Sequence, residues 1–241
     1  MSLTENLSEL IAACFTGIWI ETHEQEDALT EIAQLCREQQ WMLATWDLDR
    51  GLRLPTTDSD APPIQDPLSA VRSLGAMSSG DQTTVLVMSN LHRFLQSAEI
   101  VQALQHQVLS GKQSRTFIIG VGPGVSLPPE LEKLFIVVEH ELPSRSQFEE
   151  IAQGIATEDG ELPESSEFQR VLDASAGLTR LEAEAAYSLS LVRQGRITSD
   201  SVWELKTQTL KKSGLLSLYR GVTTLAHWEA WIRSSHSAVV H

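Results

Sequence analysis

The sequence predicts an α/β protein, a parallel sheet flanked by helices and followed by a small α-helical bundle. Three observations predict it. Short apolar, β-branched runs alternate with amphipathic helical segments up to about residue 140, the pattern of a parallel sheet covered on both faces. After Leu142-Pro143 those runs stop and only helical periodicity remains. The 241 residues, 41% hydrophobic and 21% charged, suffice for one large core and a smaller satellite.

The elements follow in order. Phe15–Thr22 reads as a strand, and His23-Glu24 opens a helix to about Gln39 whose apolar positions Ala28, Leu29, Ile32, Ala33, Leu35 and Cys36 recur at helical spacing. Trp41–Trp46 is a second strand, running into Asp47-Leu48-Asp49-Arg50-Gly51; residues 52–64, rich in Pro, Thr and Asp, read as a loop. Asp66 caps a short helix with Pro67 at its first position. Thr84–Met88 is a third strand, 96–109 a helix, Thr116–Val121 a fourth strand and Phe135–His140 a fifth. Helices then cover Ser146–Ala156, Ser165–Ala176, a segment begun by the capping box Thr179-Arg-Leu-Glu182, and Ser199–Lys212.

The third strand carries the most informative feature. In a nucleotide-hydrolysing α/β domain such a strand ends in acidic residues that hold Mg²⁺ and orient water. Here Ser89 and Asn90 stand in those places. Nowhere does the chain carry G-x-x-x-x-G-K-[ST], whose backbone N–H groups and lysine hold phosphates. The nearest approach is Gly111-Lys112, followed by Gln113 and preceded by His106 five places before the glycine. The layout is that of a P-loop nucleotidase core without its P-loop. No catalytic residue, no bound cofactor and no metal is expected.

The formal net charge of −14 argues against a nucleic-acid or anionic-membrane footprint. The start lacks a basic segment followed by an apolar one, and no apolar run approaches the roughly 20 residues that span a bilayer. A cytoplasmic protein is the expectation. Cys14 and Cys36 lie in apolar surroundings and read as reduced thiols.

Several stretches, in order, resemble a cyanobacterial and plastid-encoded family of AAA-type ATPases. They are Thr45-Trp46-Asp47 with Gly51, Asp66-Pro67-Leu68, Leu91-His92-Arg93-Phe94-Leu95 and Leu127-Pro128-Pro129-Glu130-Leu131-Glu132. Leu142-Pro143, Gly177-Leu178-Thr179 with Glu182 and Glu184, and Lys212-Ser213-Gly214-Leu215-Leu216 continue them, so the resemblance covers about residues 8–235. It implies two ATPase-like halves, the first without its phosphate loop and the second carrying the working one. This chain resembles the first half. The resemblance implies a degenerate AAA-like α/β core over 1–157, a helical lid over 164–220, and a linker helix over 221–241 leading toward an ATPase module. It implies a non-catalytic regulatory or assembly half that recruits partners or substrates. The rival readings are a fragment of a complete ATP-hydrolysing AAA protein and a free-standing adaptor. ATP and Mg²⁺ are expected only in the active module. The implied partner is an AAA-type ATPase module, in cis or in trans, with other proteins and a homo-oligomer open, in the cytoplasm or, for a plastid-encoded chain, the stroma.

The remaining candidates are weighed against plainer readings. Gly120-Val-Gly-Pro-Gly124 reads as a flexible loop, because Pro123 and the following Ser-Leu-Pro-Pro cannot open the helix that a dinucleotide motif needs. His92 and Arg93, just past the third strand, are interaction candidates or the start of a solvated helix. In Glu139-His140-Glu141, alternation points both glutamates away from the histidine, which speaks against a metal site. Arg180 and Glu182 lie where, by the resemblance, an AAA lid senses the γ-phosphate. Lys206, Lys211, Lys212 and Arg220 form a basic cluster that reads as a solvated face or a dock for an acidic surface. Trp228 and Trp231 share one face of an amphipathic segment, Leu225–Ile232, and are interaction candidates. Replacing both by Ala is expected to leave the urea midpoint of the protein nearly unchanged. Association with a partner module should weaken by several kcal/mol, since buried aromatic anchors dominate such contacts. Unfolding of the variant would mark the tail as core instead.

Overall fold

The computed structural model describes residues 2–54, 64–77, 82–124 and 126–212. Trp228, Trp231, Arg220 and the expected linker helix lie outside the described residues. The chain forms two compact units: residues 1–143 with Thr179–Leu181, and Ser144–Leu178 with the residues from Glu182 on. The expected core ran to 157; here the structural division falls at Pro143, and the helix that follows belongs to the second unit.

The first unit begins with a helix that no sequence pattern singled out. α1 (Leu3–Ala12) starts at a capping box in which the Ser2 hydroxyl accepts from the Glu5 N–H and the Glu5 carboxylate accepts from the Ser2 N–H. Its buried Leu3, Leu7, Leu10 and Ile11 pack with α2 (Gln25–Glu38). The sheet consists of β1 (Gly17–Glu21), β2 (Met42–Asp47), β3 (Gly51–Arg53), β4 (Thr84–Ser89), β5 (Thr116–Gly122) and β6 (Phe135–Glu139), in the order β3-β2-β4-β5-β1-β6. All neighbours are parallel except β2 and β3. The sheet is therefore mixed, mostly parallel, and the start of the expected 52–64 loop is strand. The hairpin exists because the Asp47 carboxylate accepts the backbone N–H groups of Asp49 and Arg50, at 2.9 and 2.7 Å, and Gly51 turns the chain at φ +69°.

Alternation along the strands builds two cores. Ile18, Ile20, Val85, Val87, Phe117, Ile119 and Val121 face α1 and α2. Trp19, Ala44, Trp46, Leu86, Met88 and Ile118 face α3 (Pro67–Met77) and α4 (Ala98–Ser114). The Asp66 cap expected for α3 is present, accepting from the Ser69 N–H at 2.8 Å. Connections from β1 and from β4 thus leave on opposite faces of the sheet, and the carboxyl ends of β1, β4 and β5 lie where they part. That is the place where open α/β sheets bind ligands.

The run Gly120–Gly124, read as a flexible loop, is in part the end of β5. Its glycines answer to steric demand: a Cβ on Gly120 would stand 2.5 Å from the buried Trp19 ring, and one on Gly122 2.8 Å from His92 Nδ1. Gly111 is likewise a packing residue of α4, since its Cβ would meet the Thr116 carbonyl at 2.3 Å.

The second unit is helical: α5 (Arg145–Ile155), α6 (Ser165–Ser175), α7 (Arg180–Gln194, from Glu182 on) and α8 (Ser199–Lys212). Ser144 caps α5 in a capping box with Gln147. Phe148, Ile151, Val171, Leu172, Tyr187, Ile197 and Val202 form its core. The Tyr187 hydroxyl inside it is satisfied by Ser175 at 2.6 Å. Lys206 is not part of a free basic face. Its ammonium donates to the Ala174 and Ala176 carbonyls, at 3.1 and 2.5 Å, at the end of α6, and lies over the Trp203 ring.

Gly120→Ala should lower the urea midpoint by an amount equivalent to about 1–3 kcal/mol, the usual cost of overpacking a rigid core. Gly154→Ala, where nothing lies within 4 Å of the added methyl, should leave stability unchanged or raise it by up to about 1 kcal/mol, as Ala favours helix. Unfolding followed by circular dichroism compares the two.

Candidate functional site

The candidate site is the carboxyl edge of β1, β4 and β5. The connection from β1 to α2 is three residues, Thr22-His23-Glu24. Thr22 continues the sheet edge, its N–H donating to the Gly122 carbonyl at 3.0 Å. Its hydroxyl accepts the Glu24 N–H at 2.9 Å and so satisfies one of the unpaired donors of the turn. Glu24 stands at the N-cap of α2, and Glu26 and Asp27 occupy its first turn. Three carboxylates therefore meet the positive end of the helix dipole.

Two of these carboxylates are engaged by one residue. The Arg180 backbone N–H donates to Glu24, and the Arg180 Nε lies 3.0 Å from Asp27 Oδ1. All three residues belong to the first unit. Burial lifts the Glu24 carboxyl above its ordinary range; the hydrogen bond from Arg180 opposes that shift and the Asp27 charge adds to it.

Ser89 and Asn90 lie where the sequence placed them, at the end of β4. Asn90 is left-handed, φ +57°, and its N–H donates to the Val121 carbonyl. Its side-chain oxygen accepts from Gln25 Nε2 at 2.8 Å, which links the end of β4 to the first residue of α2. The polar groove beside this pair, about 570 Å³, runs between α2 and β2.

His92 and Arg93 fall in a 3₁₀ turn, Leu91–Phe94, rather than at the start of an α-helix. Arg93 is exposed. His92 is packed: its Nδ1 is buried against Gly122 with no hydrogen-bond partner among the described residues. Burial, and then the Arg93 charge, hold its imidazole below the ordinary histidine value. In the same turn Leu91 and Leu95 enter the core and Phe94 meets Trp46 edge-on at 5.6 Å. Cys36 is a free, buried thiol pushed up to about 11 by burial, which leaves it unreactive. In the sequence Glu24, Gln25 and Asp27 read only as helix; their role depends on which loops meet at the sheet edge.

Comparisons with known proteins place this arrangement. Residues 3–140 match the SpoVK-like AAA ATPase N-terminal domain, and residues 146–213 the second domain of the same family. The chain belongs to the SpoVK-like AAA ATPases. No curated protein matches it in sequence. Among solved structures it is similar to the FIGL-1 AAA domain in complex with ADP, at 10% identity and TM-score 0.53, over 97% of this chain and 87% of that one. It is also similar to a chain of the E. coli MS115-1 HORMA:CdnC:Trip13 complex, at 8% identity and TM-score 0.58, over 90% and 89%. A point variant of Thermotoga maritima RuvB matches at 17% identity and TM-score 0.51, over 86% and 68%. These likenesses show the AAA fold. The family's division between its two domains, at residues 141–145, coincides with the division of the structure at Pro143.

The packing of His92 generates a pH dependence. A histidine whose folded value is depressed stabilises the fold fully above its unfolded value of about 6.5, and that contribution is lost as pH falls through the unfolded value toward the lower folded one. Wild type should therefore lose more stability than His92→Leu between about pH 7.5 and about pH 5.5, a bracket around that value. Urea midpoints of both proteins at both pH values measure the difference.

Proposed function

We propose that this chain is the non-catalytic half of an AAA-family ATPase, an assembly or recruiting platform for a module that hydrolyses ATP. One observation carries the reading: three residues connect β1 to α2, and carboxylates occupy the helix start. In a P-loop protein an eight-residue G-x-x-x-x-G-K-[ST] spans this turn and its lysine reaches the phosphates. Here there is no lysine, and Glu24, Glu26 and Asp27 would repel a triphosphate. Ser89 and Asn90 supply no charged Mg²⁺ ligand, and Asn90 is bonded to Gln25. The residues present do not fit a magnesium nucleotide. ATP and Mg²⁺ belong, on this reading, to the active module.

A platform needs a stable core and a complementary surface of roughly 800 Å² per partner. The acidic surface favours protein over nucleic acid, and no helix among the described residues is long and apolar enough to cross a membrane. One AAA-fold neighbour is itself seen in a complex with other proteins. The partner we propose is an AAA-type ATPase module, with ring assembly through contacts that do not need a nucleotide in this half.

The purified chain with Mg-ATP should release no phosphate above background, and its thermal melt should not move with millimolar Mg-ATP. Ligand at a hundred times its Kd would add about 2.7 kcal/mol, a shift of several degrees. Turnover that follows the protein through repeated purification, or a reproducible upward shift, overturns the reading.

A further inference from the structure

We propose that Asp27, Glu31 and His140 form a binding site for a divalent transition metal of the zinc type, for which Arg180 is the internal competitor. One potential ligand atom from each of the three lies within 4.8 Å of the other two. Asp27 and Glu31 are one turn apart on α2 and so share a face. His140 follows β6, and its backbone N–H donates to the Glu21 carbonyl at 3.0 Å, so the pairing of β6 with β1 sets its position. The carboxylates that flank His140 in sequence are not its partners; those that meet it come from a helix more than a hundred positions earlier.

The donor set suits the metal. One imidazole and two carboxylates, with positions left open, is a borderline N/O set that Zn²⁺, Co²⁺ and Fe²⁺ accept. His140 Nε2 is 3.5 Å from Glu31 Oε1. Two donors each about 2.1 Å from a tetrahedral metal stand about 3.4 Å apart, so this pair is already at ligand spacing. The His140 side chain is 5% exposed, while Glu31 and Asp27 at 30% and 23% leave an entry path. The second imidazole nitrogen is also provided for: Nδ1 lies 2.9 Å from Thr22 Oγ1. When Nε2 binds a metal the ring proton sits on Nδ1, and the Thr22 oxygen accepts it on the lone pair not used by the Glu24 N–H. A hydrogen bond to the second ring nitrogen is what fixes the orientation of metal-binding histidines.

Arg180 is the opposing element. Its guanidinium neutralises Asp27 in the metal-free protein. A dication and this guanidinium repel each other, so the metal displaces Arg180 from Asp27 or binds against its charge. Removing the arginine should therefore tighten the site, whereas a merely structural ion-pair network gains no affinity for metal from that loss.

The chelator-stripped protein is titrated with Co²⁺, read by its visible absorption, and with Zn²⁺, read by calorimetry. One equivalent is expected. His140→Gln and Glu31→Gln should each weaken binding by at least about tenfold, Thr22→Val by about tenfold, the effect typical of a supporting partner, and Arg180→Gln should tighten it. His106→Gln, on α4, should change nothing. Thermal melts in chelator check each variant's fold; if His140→Gln fails to fold, Glu31→Gln and Thr22→Val carry the test. Absence of stoichiometric binding overturns the proposal. So does binding that His140→Gln, Glu31→Gln and Thr22→Val leave unchanged, which would place the metal elsewhere. Neither readout involves ATP, so the outcome is separate from that of the nucleotide reading.

Discussion

The three-residue connection between β1 and α2 is the constraint on which the rest of the carboxyl edge depends. It leaves no slack. Thr22 must still pair with β5 while Glu24 already stands at the N-cap position of the helix. The N–H of Glu24, at the helix start, is met by the chain's own Thr22 hydroxyl, and Glu24, Glu26 and Asp27 place carboxylates around the donors that follow. The same closeness brings Gln25 to Asn90 and Asp27 to Arg180. A longer connection would separate all of these groups.

The family motifs take on a structural meaning. Trp46 fills the core, Asp47 organises the hairpin and Gly51 turns it. Asp66 caps α3, and Leu131 is buried after the Pro128 turn. In the 91–95 stretch four of five side chains are occupied with packing. None of these residues needs a nucleotide to explain it. The sequence likeness thus tracks the scaffold of an AAA module.

Strong local signals were legible. Apolar runs located β1, β2, β4, β5 and β6 to within about two residues, and helical spacing located α2 and the helices of the second unit. β3 was not legible, because three residues beside an Asx turn carry no periodicity. Nor was α1, whose capping box lies at the extreme start. Gly120 looked like loop chemistry because the ring it accommodates, Trp19, is a hundred positions away. Ser89 and Asn90 could be placed by counting from a strand. Their partner could not: that Gln25 meets Asn90, and that His140 meets Thr22, depends on strand order and register, which alternating patterns do not encode.

The short connection also bears on the direction in which such a chain can change. An active module can lose its lysine by one substitution and regain it by another. Here a phosphate-binding loop could be introduced only against several independent obstacles. Residues would have to be inserted into a junction where both flanking backbones are committed to hydrogen bonds, and the insertion would expose Glu24, Glu26 and Asp27 to the ligand it was meant to admit. On the reading proposed above, that junction leaves the surfaces of this unit, rather than its helix start, as the place where it acts.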